Sequence, residues 1–218
     1  PGMIIDWLSV QAAMTDTAFA PAFQIDETTQ DALFRGARSV RAWSDEPVTD
    51  ETIDAVYDLV RWGPTAMNTS PLRLLVVRSP EARERLASHM GEGNRQRVLD
   101  APLALVLAAD MDFHEKLGEL MPHMPGARAM FADNLAARER VSRDNAHLQA
   151  GYLMVGLRAA GLDVGPMSGM DAAGIDADLL AGTAWRSIMV LNVGRPAEDN
   201  GAHPRAARLP FDAAARVL

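Results

Sequence analysis

The chain of 218 residues is 48% hydrophobic and 23% charged, which is typical of a globular protein and excludes a fibrous or disordered chain. The absence of cysteine excludes disulfides, thiol nucleophiles and thiolate-bound metal or iron–sulfur sites. The net charge is −8, and no apolar run reaches the roughly 18 residues that a membrane span needs. The sequence therefore predicts no nucleic-acid partner, no membrane partner and a cytoplasmic location.

The predicted organisation has two parts. Residues 1–28 are interpreted as an N-terminal extension, which is either partly disordered or wrapped around a partner. Residues 29–218 are predicted to form a single domain, because no internal repeat and no low-complexity linker divides them.

The first well-marked helix is predicted to begin after Thr49, since threonine is a common helix cap and the acidic residues that follow suit the positive end of the helix dipole. Gly63 and Pro64 stop this helix. The apolar run Leu72–Val77, which follows Pro71, then predicts a buried strand.

More elements follow along the chain. Ser79 is predicted to cap a helix over 80–89, and apolar runs over 103–109 and 188–193 predict two further buried strands. Between these strands a long helix is predicted over 144–160, with one face formed by Leu148, Tyr152, Val155 and Ala159. The alternation of helices and strands predicts one sheet that helices cover on both faces. The tail is expected to be extended from residue 195 until the last few residues.

The first candidate site is Arg38-Ser39-Val40-Arg41, in which two guanidinium groups flank a hydroxyl group. Arginine forms bidentate, charge-assisted hydrogen bonds, so this combination suits a phosphate group. A solvated surface turn is the simpler alternative. Arg205 and Arg208 near the end of the chain are candidates for further phosphate contacts, with an ordinary surface position as the alternative.

Two more candidates lie in the middle of the chain. The loop 63–71 holds small and polar residues between two prolines, so it could present its backbone to a planar polar ligand or simply connect a helix to a strand. Asn94 and Arg97 lie one turn apart on a helix, where an amide and a cation suit a carbonyl group and a developing negative charge. A solvated helix face is the alternative for this pair.

The fourth candidate is the segment 165–169, Gly-Pro-Met-Ser-Gly, which follows the long helix and a short strand. Glycine lets the backbone approach a ligand closely, although a tight turn would use the same residues. The five histidines show no metal-binding spacing, and the Walker A, GxGxxG and GxSxG patterns are absent. The sequence thus predicts no metal and no Rossmann-type dinucleotide site.

In order and in spacing, the four clusters together resemble the FMN-dependent nitroreductase family from about residue 33 to residue 218. The sequence is most similar to the malonic semialdehyde reductase branch, on the strength of Gly63-Pro64-Thr65, Leu148-Gln149-Ala150, the segment 165–169 and His203-Pro204-Arg205. The resemblance implies an α+β fold: a three-layer α-β-α sandwich with a mixed, mostly antiparallel sheet, in an intertwined homodimer.

The resemblance also implies a cofactor, FMN, with NADH or NADPH as a transient hydride donor. The flavin phosphate and ribityl chain would contact Arg38, Ser39, Arg41, Arg205 and Arg208. The pyrimidine edge of the flavin would face Asn94 and Arg97. Backbone near flavin N5 and O4 would come from Pro166, Met167, Ser168 and Gly169. The flavin of the partner subunit would be reached by Pro64, Thr65, Ala66 and Asn68.

The implied reaction is ping-pong hydride transfer through flavin N5 to a nitroaromatic, a quinone or malonic semialdehyde. No side chain is assigned as catalytic; Arg97 would stabilise the negative charge of the reduced flavin. Ser168 stands where many relatives carry an acidic residue, and Ala206 where some carry a lysine. Two alternatives remain open: a non-catalytic flavin-binding or storage protein, and a dimer that has lost FMN.

The segment 111–131 is rich in methionine, which fills irregular apolar space. We expect it either to cover the flavin, giving a broad apolar site for the acceptor, or to pack in the core or in the dimer. Phe113 and Phe131 are candidates for lining that acceptor site.

Overall fold

The computed structural model describes residues 23–40, 42–199 and 204–218. Its centre is a four-stranded sheet with the spatial order β1-β2-β4-β3, in which every pairing is antiparallel. The strands in chain order are β1 (Leu72–Val77), β2 (Leu103–Asp110), β3 (Asp163–Met167) and β4 (Trp185–Gly194). The predicted α+β class and the mostly antiparallel sheet are confirmed.

The α-helices of the described residues surround this sheet. In chain order they are α1 (Glu27–Gln30), α2 (Asp50–Val60), α3 (Pro80–Ser88), α4 (Glu92–Asp100), α5 (Leu117–Leu120), α6 (Ala129–Ala132), α7 (Leu135–Ala159), α8 (Ala172–Asp178) and α9 (Phe211–Ala214). The segment Asp31–Arg35 continues α1 as a π-helical turn, and Ala66–Asn68 and Phe113–Lys116 form short 3₁₀ turns. Because α1 begins at Glu27, the predicted boundary at residue 28 falls inside it, and the division into extension and domain stays a prediction.

Both predicted helix caps are confirmed. Thr49 Oγ1 accepts a hydrogen bond from the Thr52 amide at 3.2 Å, and Ser79 Oγ accepts one from the Ala82 amide at 3.1 Å. Each side chain satisfies an amide that has no partner inside its helix. Pro80 occupies the first turn of α3, where its missing N–H costs nothing.

Two hydrophobic clusters lie on opposite faces of the sheet, as the alternation along β2 requires. Leu105 and its odd-numbered neighbours pack with α2 and α7, whereas Val106 and its even-numbered neighbours pack with α3, α4 and α8. All eight residues of β2 are buried. The three-layer arrangement with helices on both faces is confirmed.

The strand β1 differs from its prediction as a buried strand. Its bounds are those predicted, but it pairs with β2 alone among the described strands and forms an edge of the sheet. Leu72 and Val77 are buried, while Val76 is 38% exposed. An apolar run by itself does not distinguish a central strand from an edge strand, which explains the error.

The helix α7 begins nine residues before the predicted start at 144. Its first turns contain three arginines and one glutamate and lack apolar periodicity, so the sequence pattern misses them. Asn134 caps the true start by accepting a hydrogen bond from the Ala137 amide at 3.0 Å. The helix presents Ala150, Leu153 and Leu157 to the core, while Leu148 on the predicted stripe is 45% exposed.

The strand β4 extends the predicted run 188–193 by three residues at its start and ends at Gly194 as predicted. Residues 204–210 form neither helix nor strand, and the short helix α9 follows, in agreement with the prediction that the tail is not helical before its last residues. None of the described helices combines the length and the hydrophobicity that a membrane span requires.

Candidate functional site

A cleft of about 360 Å³ lies where the segment 37–40, the end of α4, the end of α7 and the C-terminal segment meet. Five arginines line it: Arg38, Arg97, Arg158, Arg205 and Arg208. No acidic residue lines it among the described parts of the chain, although the chain carries a net charge of −8. The cleft is therefore a local concentration of positive charge in an acidic protein, and it suits an anion.

The arginines of this cleft differ from most arginines elsewhere in the described chain. Nine of those form ion pairs, such as Arg73 with Asp110 at 2.7 Å and Arg128 with Glu115 at 2.8 Å, whereas a few, such as Arg83 and Arg140, form none. Within the described ranges, none of the five cleft arginines forms an ion pair. Their charges remain available to a bound group.

The two ends of the domain meet at the cleft. Arg205 donates from Nη2 to the carbonyl oxygen of Ala37 at 3.0 Å, although 168 positions separate the two residues. Ser39 lines the same cleft. The structure thus brings together the first predicted cluster and the predicted C-terminal arginines. Arg41, the remaining member of the first cluster, and His203 lie outside the described residues.

The third and fourth predicted clusters also meet. Asn94 Nδ2 donates to the carbonyl oxygen of Gly169 at 3.1 Å, and the Gly91 amide donates to the same oxygen at 2.9 Å. Arg97 lies one turn further along α4 and lines the cleft. Ser168 and Gly169 are exposed and lie directly beyond β3.

The alternative of a tight turn over 165–169 is not what the structure shows. Gly165, Pro166 and Met167 belong to β3 and pair with Asn192, Leu191 and Val190 of β4. The Met167 side chain is buried in the core, so only the backbone of this residue could face a ligand.

The loop over 63–71 lies away from the cleft within one chain, and none of its described residues lines it. The Ala66 amide donates to Asn145 Oδ1 at 2.7 Å, Asn68 Nδ2 donates to the Leu120 carbonyl at 2.9 Å, and Tyr152 Oη donates to the Pro64 carbonyl at 3.0 Å. Thr65 Oγ1 accepts a hydrogen bond from the Ser70 amide. These contacts fix the loop against α7 and the end of α5.

The backbone of this loop is strained. Met67, Asn68 and Ser70 have φ values of 52°, 50° and 40°, a region that favours glycine. Such conformations cost of the order of 1 kcal/mol each and occur mainly at functional sites. Backbone strain of this kind is typical of loops that contact ligands, but this loop does not line the chain's own cleft.

The methionine-rich segment 111–131 forms a small core of its own. Phe113 and Phe131 are buried and pack edge to face with ring centroids 5.2 Å apart. Leu117 and Met121 complete the cluster, and Met67 of the strained loop packs against it. The two phenylalanines therefore pack inside the segment rather than line an open pocket.

His114, within that segment, is the buried histidine of the described chain. Arg138 Nη1 lies 3.0 Å from its Nε2, and Nδ1 has no hydrogen-bond partner among the described residues. Burial and the charge of Arg138 lower the pKa of the His114 imidazole. No group of three or more potential metal ligands occurs in the described chain.

Sequence reasoning missed Arg158, which lies in the last turn of α7 and lines the cleft. Its Nη1 donates to the Leu33 carbonyl at 3.2 Å, and its buried Nε has no partner among the described residues. A cation in the last turn of a helix is so common that the sequence alone gives it no functional weight. Its place in the cleft follows from the fold, which brings the segment 37–40 and the C-terminal segment next to the end of α7.

The family model described as "Nitroreductase family" matches residues 34–195. The chain belongs to the nitroreductase family. This confirms the family named from the sequence, while its malonic semialdehyde reductase branch stays a prediction.

Similar nitroreductases are known from several bacteria. A Streptomyces griseus relative, provisionally named NADH dehydrogenase/NAD(P)H nitroreductase, is 51% identical over 188 residues, which are 86% of this chain and 95% of the relative. A Leptothrix cholodnii relative with the same provisional name is 48% identical over 194 residues, which are 89% and 98% of the two chains.

Two solved structures show the same fold at low sequence identity. A provisionally named nitroreductase from Bacillus subtilis superposes with a TM-score of 0.79 at 19% identity and covers 88% of this chain and 100% of its own. One from Exiguobacterium sibiricum, solved in complex with FMN, has a TM-score of 0.77 at 21% identity and covers 90% and 100%.

Proposed function

We propose that this nitroreductase is an FMN-dependent NAD(P)H oxidoreductase. The observation that supports the proposal most directly is the cleft of five arginines, none of which forms an ion pair within the described ranges. A phosphate monoester carries about two negative charges near neutral pH, and guanidinium groups are its preferred partners. The names of the relatives also support NAD(P)H as the reductant, and the FMN complex of the Exiguobacterium structure supports FMN as the cofactor.

The residues around the cleft fit a flavin nucleotide in more than charge. The buried Nε of Arg158 has no partner in the described chain, so a ligand oxygen would satisfy it. Beyond Arg97, the Asn94–Gly169 contact presents glycine backbone at the surface: a Cβ added to Gly169 would lie 2.9 Å from Asn94 Nδ2. A planar ring could approach this backbone closely for the same reason.

The residues in and beside the cleft would contact different parts of FMN. Arg38, Ser39, Arg205 and Arg208 would hold the phosphate and ribityl chain, with Arg41 as an expected contact outside the described residues. Arg97 would stabilise negative charge at the pyrimidine edge of the ring, and Asn94 would fix the Gly169 backbone beside it. Bound FMN supplies reversible hydride transfer at N5, with NADH or NADPH as the donor.

We further propose a homodimer in which the loop over 63–71 completes the site of the partner subunit. One chain holds this loop in a strained conformation and away from its own cleft. Leu59 and Trp62 near the end of α2 and Leu148 on α7 leave apolar side chains exposed, and Trp62 is 77% exposed. Such a surface is typical of an interface between subunits.

Subunit mixing tests this arrangement. Arg97→Ala would damage the cleft of its own chain, and Asn68→Ala would damage the site of the partner. Random mixing of the two variants should restore roughly a quarter of wild-type activity, because half of the dimers then contain one undamaged site. If the site belongs to one chain alone, mixing restores nothing.

The acceptor is proposed only by class: a nitroaromatic, a quinone or malonic semialdehyde. Hydride transfer to any of them needs no acid or base from the protein if water supplies the proton, which fits a cleft in which arginine and backbone predominate. The cytoplasmic location also stays a prediction of the cysteine-free sequence.

The deciding experiment is an anaerobic absorbance spectrum of FMN-reconstituted protein before and after addition of NADH or NADPH. We expect the flavin bands to bleach and then to return when one of the acceptors is added. Bands that never bleach would favour a flavin-binding or storage protein, and a protein that takes up no FMN would refute the proposal. Comparison of the acceptors at equal concentration then ranks them.

A further inference from the structure

Arg158 occupies a position that the expected flavin contacts leave unexplained. It comes from the end of α7, whereas the expected phosphate contacts come from the segment before α2 and from the C-terminal segment. Its side chain is half-buried, so part of its hydration is already lost in the folded chain. A cation in this environment needs partners, because an unsatisfied buried donor costs about 1–3 kcal/mol.

The residues that the structure describes supply only one of these partners. Arg158 Nη1 donates to the Leu33 carbonyl at 3.2 Å, and no carboxylate in the described chain forms an ion pair with the guanidinium. Nε is buried and has no partner there. Asp163 is the acidic group that the Arg158 charge influences: burial raises the pKa of the Asp163 carboxyl, and Arg158 lowers it by a smaller amount.

The free Nε belongs to a side chain that lines the same cleft as Arg38 and Ser39. On the basis of the proposed function, we propose that Arg158 binds the ligand phosphate and makes the site prefer a phosphorylated flavin to an unphosphorylated one. The phosphate supplies the acceptor oxygens that Nε and the remaining Nη lack, and the bound anion neutralises a guanidinium that forms no ion pair within the described chain.

A neighbouring residue provides a test of this assignment. Ala206 lines the same cleft and contributes no charge. A lysine introduced at position 206 would add a further cation to the cleft without changing α7. If Arg158 acts through its charge on a phosphate, this lysine should compensate for its loss; if Arg158 only ties α7 to Leu33, it should not.

The experiment measures dissociation constants for FMN and for riboflavin, which lacks the phosphate, by quenching of flavin fluorescence. Arg158→Met should weaken FMN binding by about 10- to 100-fold, the effect of losing a charge-assisted hydrogen bond, and change riboflavin binding less than about twofold. Arg158→Lys should give an intermediate loss, and Ala206→Lys should restore most of the FMN affinity of Arg158→Met. Arg140→Met, at an exposed arginine of the same helix, is the control that should change neither constant.

An equal loss of FMN and riboflavin affinity in Arg158→Met, or no loss of either, would overturn the assignment. If circular dichroism shows that Arg158→Met does not fold, the dissociation constants for FMN and riboflavin are compared in Arg158→Lys instead. Failure of the proposed function gives a different result, because the wild-type protein would then bind neither flavin.

Discussion

Asn94 on α4 and Gly169 beyond β3 meet through a hydrogen bond of 3.1 Å from Asn94 Nδ2 to the Gly169 carbonyl, across 75 positions of sequence. The contact joins two elements that the sequence presents as unrelated clusters. It also fixes the backbone that we propose to lie beside the flavin ring.

Gly169→Ala should weaken FMN binding by about tenfold, or 1.4 kcal/mol. The added Cβ would lie 2.9 Å from Asn94 Nδ2, so either the amide or the backbone must move. Gly93→Ala is the matched control, since a Cβ there meets nothing within 4 Å and Gly93 lies on the same helix as Asn94. Fluorescence titration with FMN measures both; equal affinities of the two variants would contradict the prediction.

Asn192→Ala should lower both stability and flavin affinity. Asn192 is buried on β4, and its Nδ2 donates to the Arg97 carbonyl at 2.8 Å, which fixes the end of α4 beside the cleft. Loss of this bond should cost about 1–3 kcal/mol of unfolding free energy. It should also displace Arg97 and so raise the FMN dissociation constant.

Ser187→Ala provides the comparison, because Ser187 is buried on the same strand and donates to the Ala172 carbonyl at 3.2 Å, away from the cleft. It should lower stability in urea denaturation without changing FMN affinity. If both variants lose FMN affinity to the same extent, the weaker binding of Asn192→Ala is only a consequence of its lower stability.

Gly156→Ala should destabilise the fold by about 1–3 kcal/mol through overpacking. The added Cβ would lie 2.3 Å from Val60 Cγ1, where α7 crosses α2, and a valine side chain has little freedom to move aside. Gly151→Ala, on the same helix with nothing within 4 Å, should instead stabilise by about 0.5–1 kcal/mol. Opposite signs in urea denaturation are the expected result, and a loss of stability in both would show that the crossing is not the cause.

Stability should fall as the pH is lowered below 6.5, the ordinary pKa of histidine. Burial and Arg138 lower the pKa of His114 in the folded chain, so the unfolded chain binds this proton first. The folded state therefore loses stability as the pH falls from 6.5 to the lowered pKa of His114. Protonation of the imidazole also places a second positive charge beside Arg138.

Unfolding free energies of wild type and His114→Gln, measured from pH 7.5 to 5, test this dependence. Their difference isolates His114, because the carboxyl groups are common to both proteins. A difference that does not change with pH would show that the imidazole does not titrate differently in the folded chain.

The sequence predicted those parts of the fold that depend on local chemistry. Thr49 and Ser79 cap their helices because a side-chain oxygen two or three residues ahead of a free amide suffices, whatever the rest of the chain does. The start of α7 was missed because charged residues in its first turns leave no periodic pattern. The edge position of β1 depends on strand order, which no short run of residues encodes.

The residues of the candidate site, too, include some that the sequence predicts and some that it does not. Arg38, Asn94 and Arg97 could be proposed from short motifs and a family resemblance, and the structure brings Arg38 and Arg97 to one cleft. Arg158 could not, since its significance depends on contacts with Leu33 and on neighbours more than a hundred positions away. Whether Pro64 and Asn68 reach a flavin depends on a second subunit, so this part of the site stays a prediction.

The hydrogen bond between Arg205 and the Ala37 carbonyl spans 168 positions. A growing chain on the ribosome cannot form this contact until Arg205 has emerged, and closing so long a loop is slow. All four strands of the sheet precede Arg205 in the chain, so the anion cleft is completed only after the sheet has been synthesised. A chain that terminates before Arg205 would then carry every strand of the sheet and yet lack two of the five arginines that line the cleft.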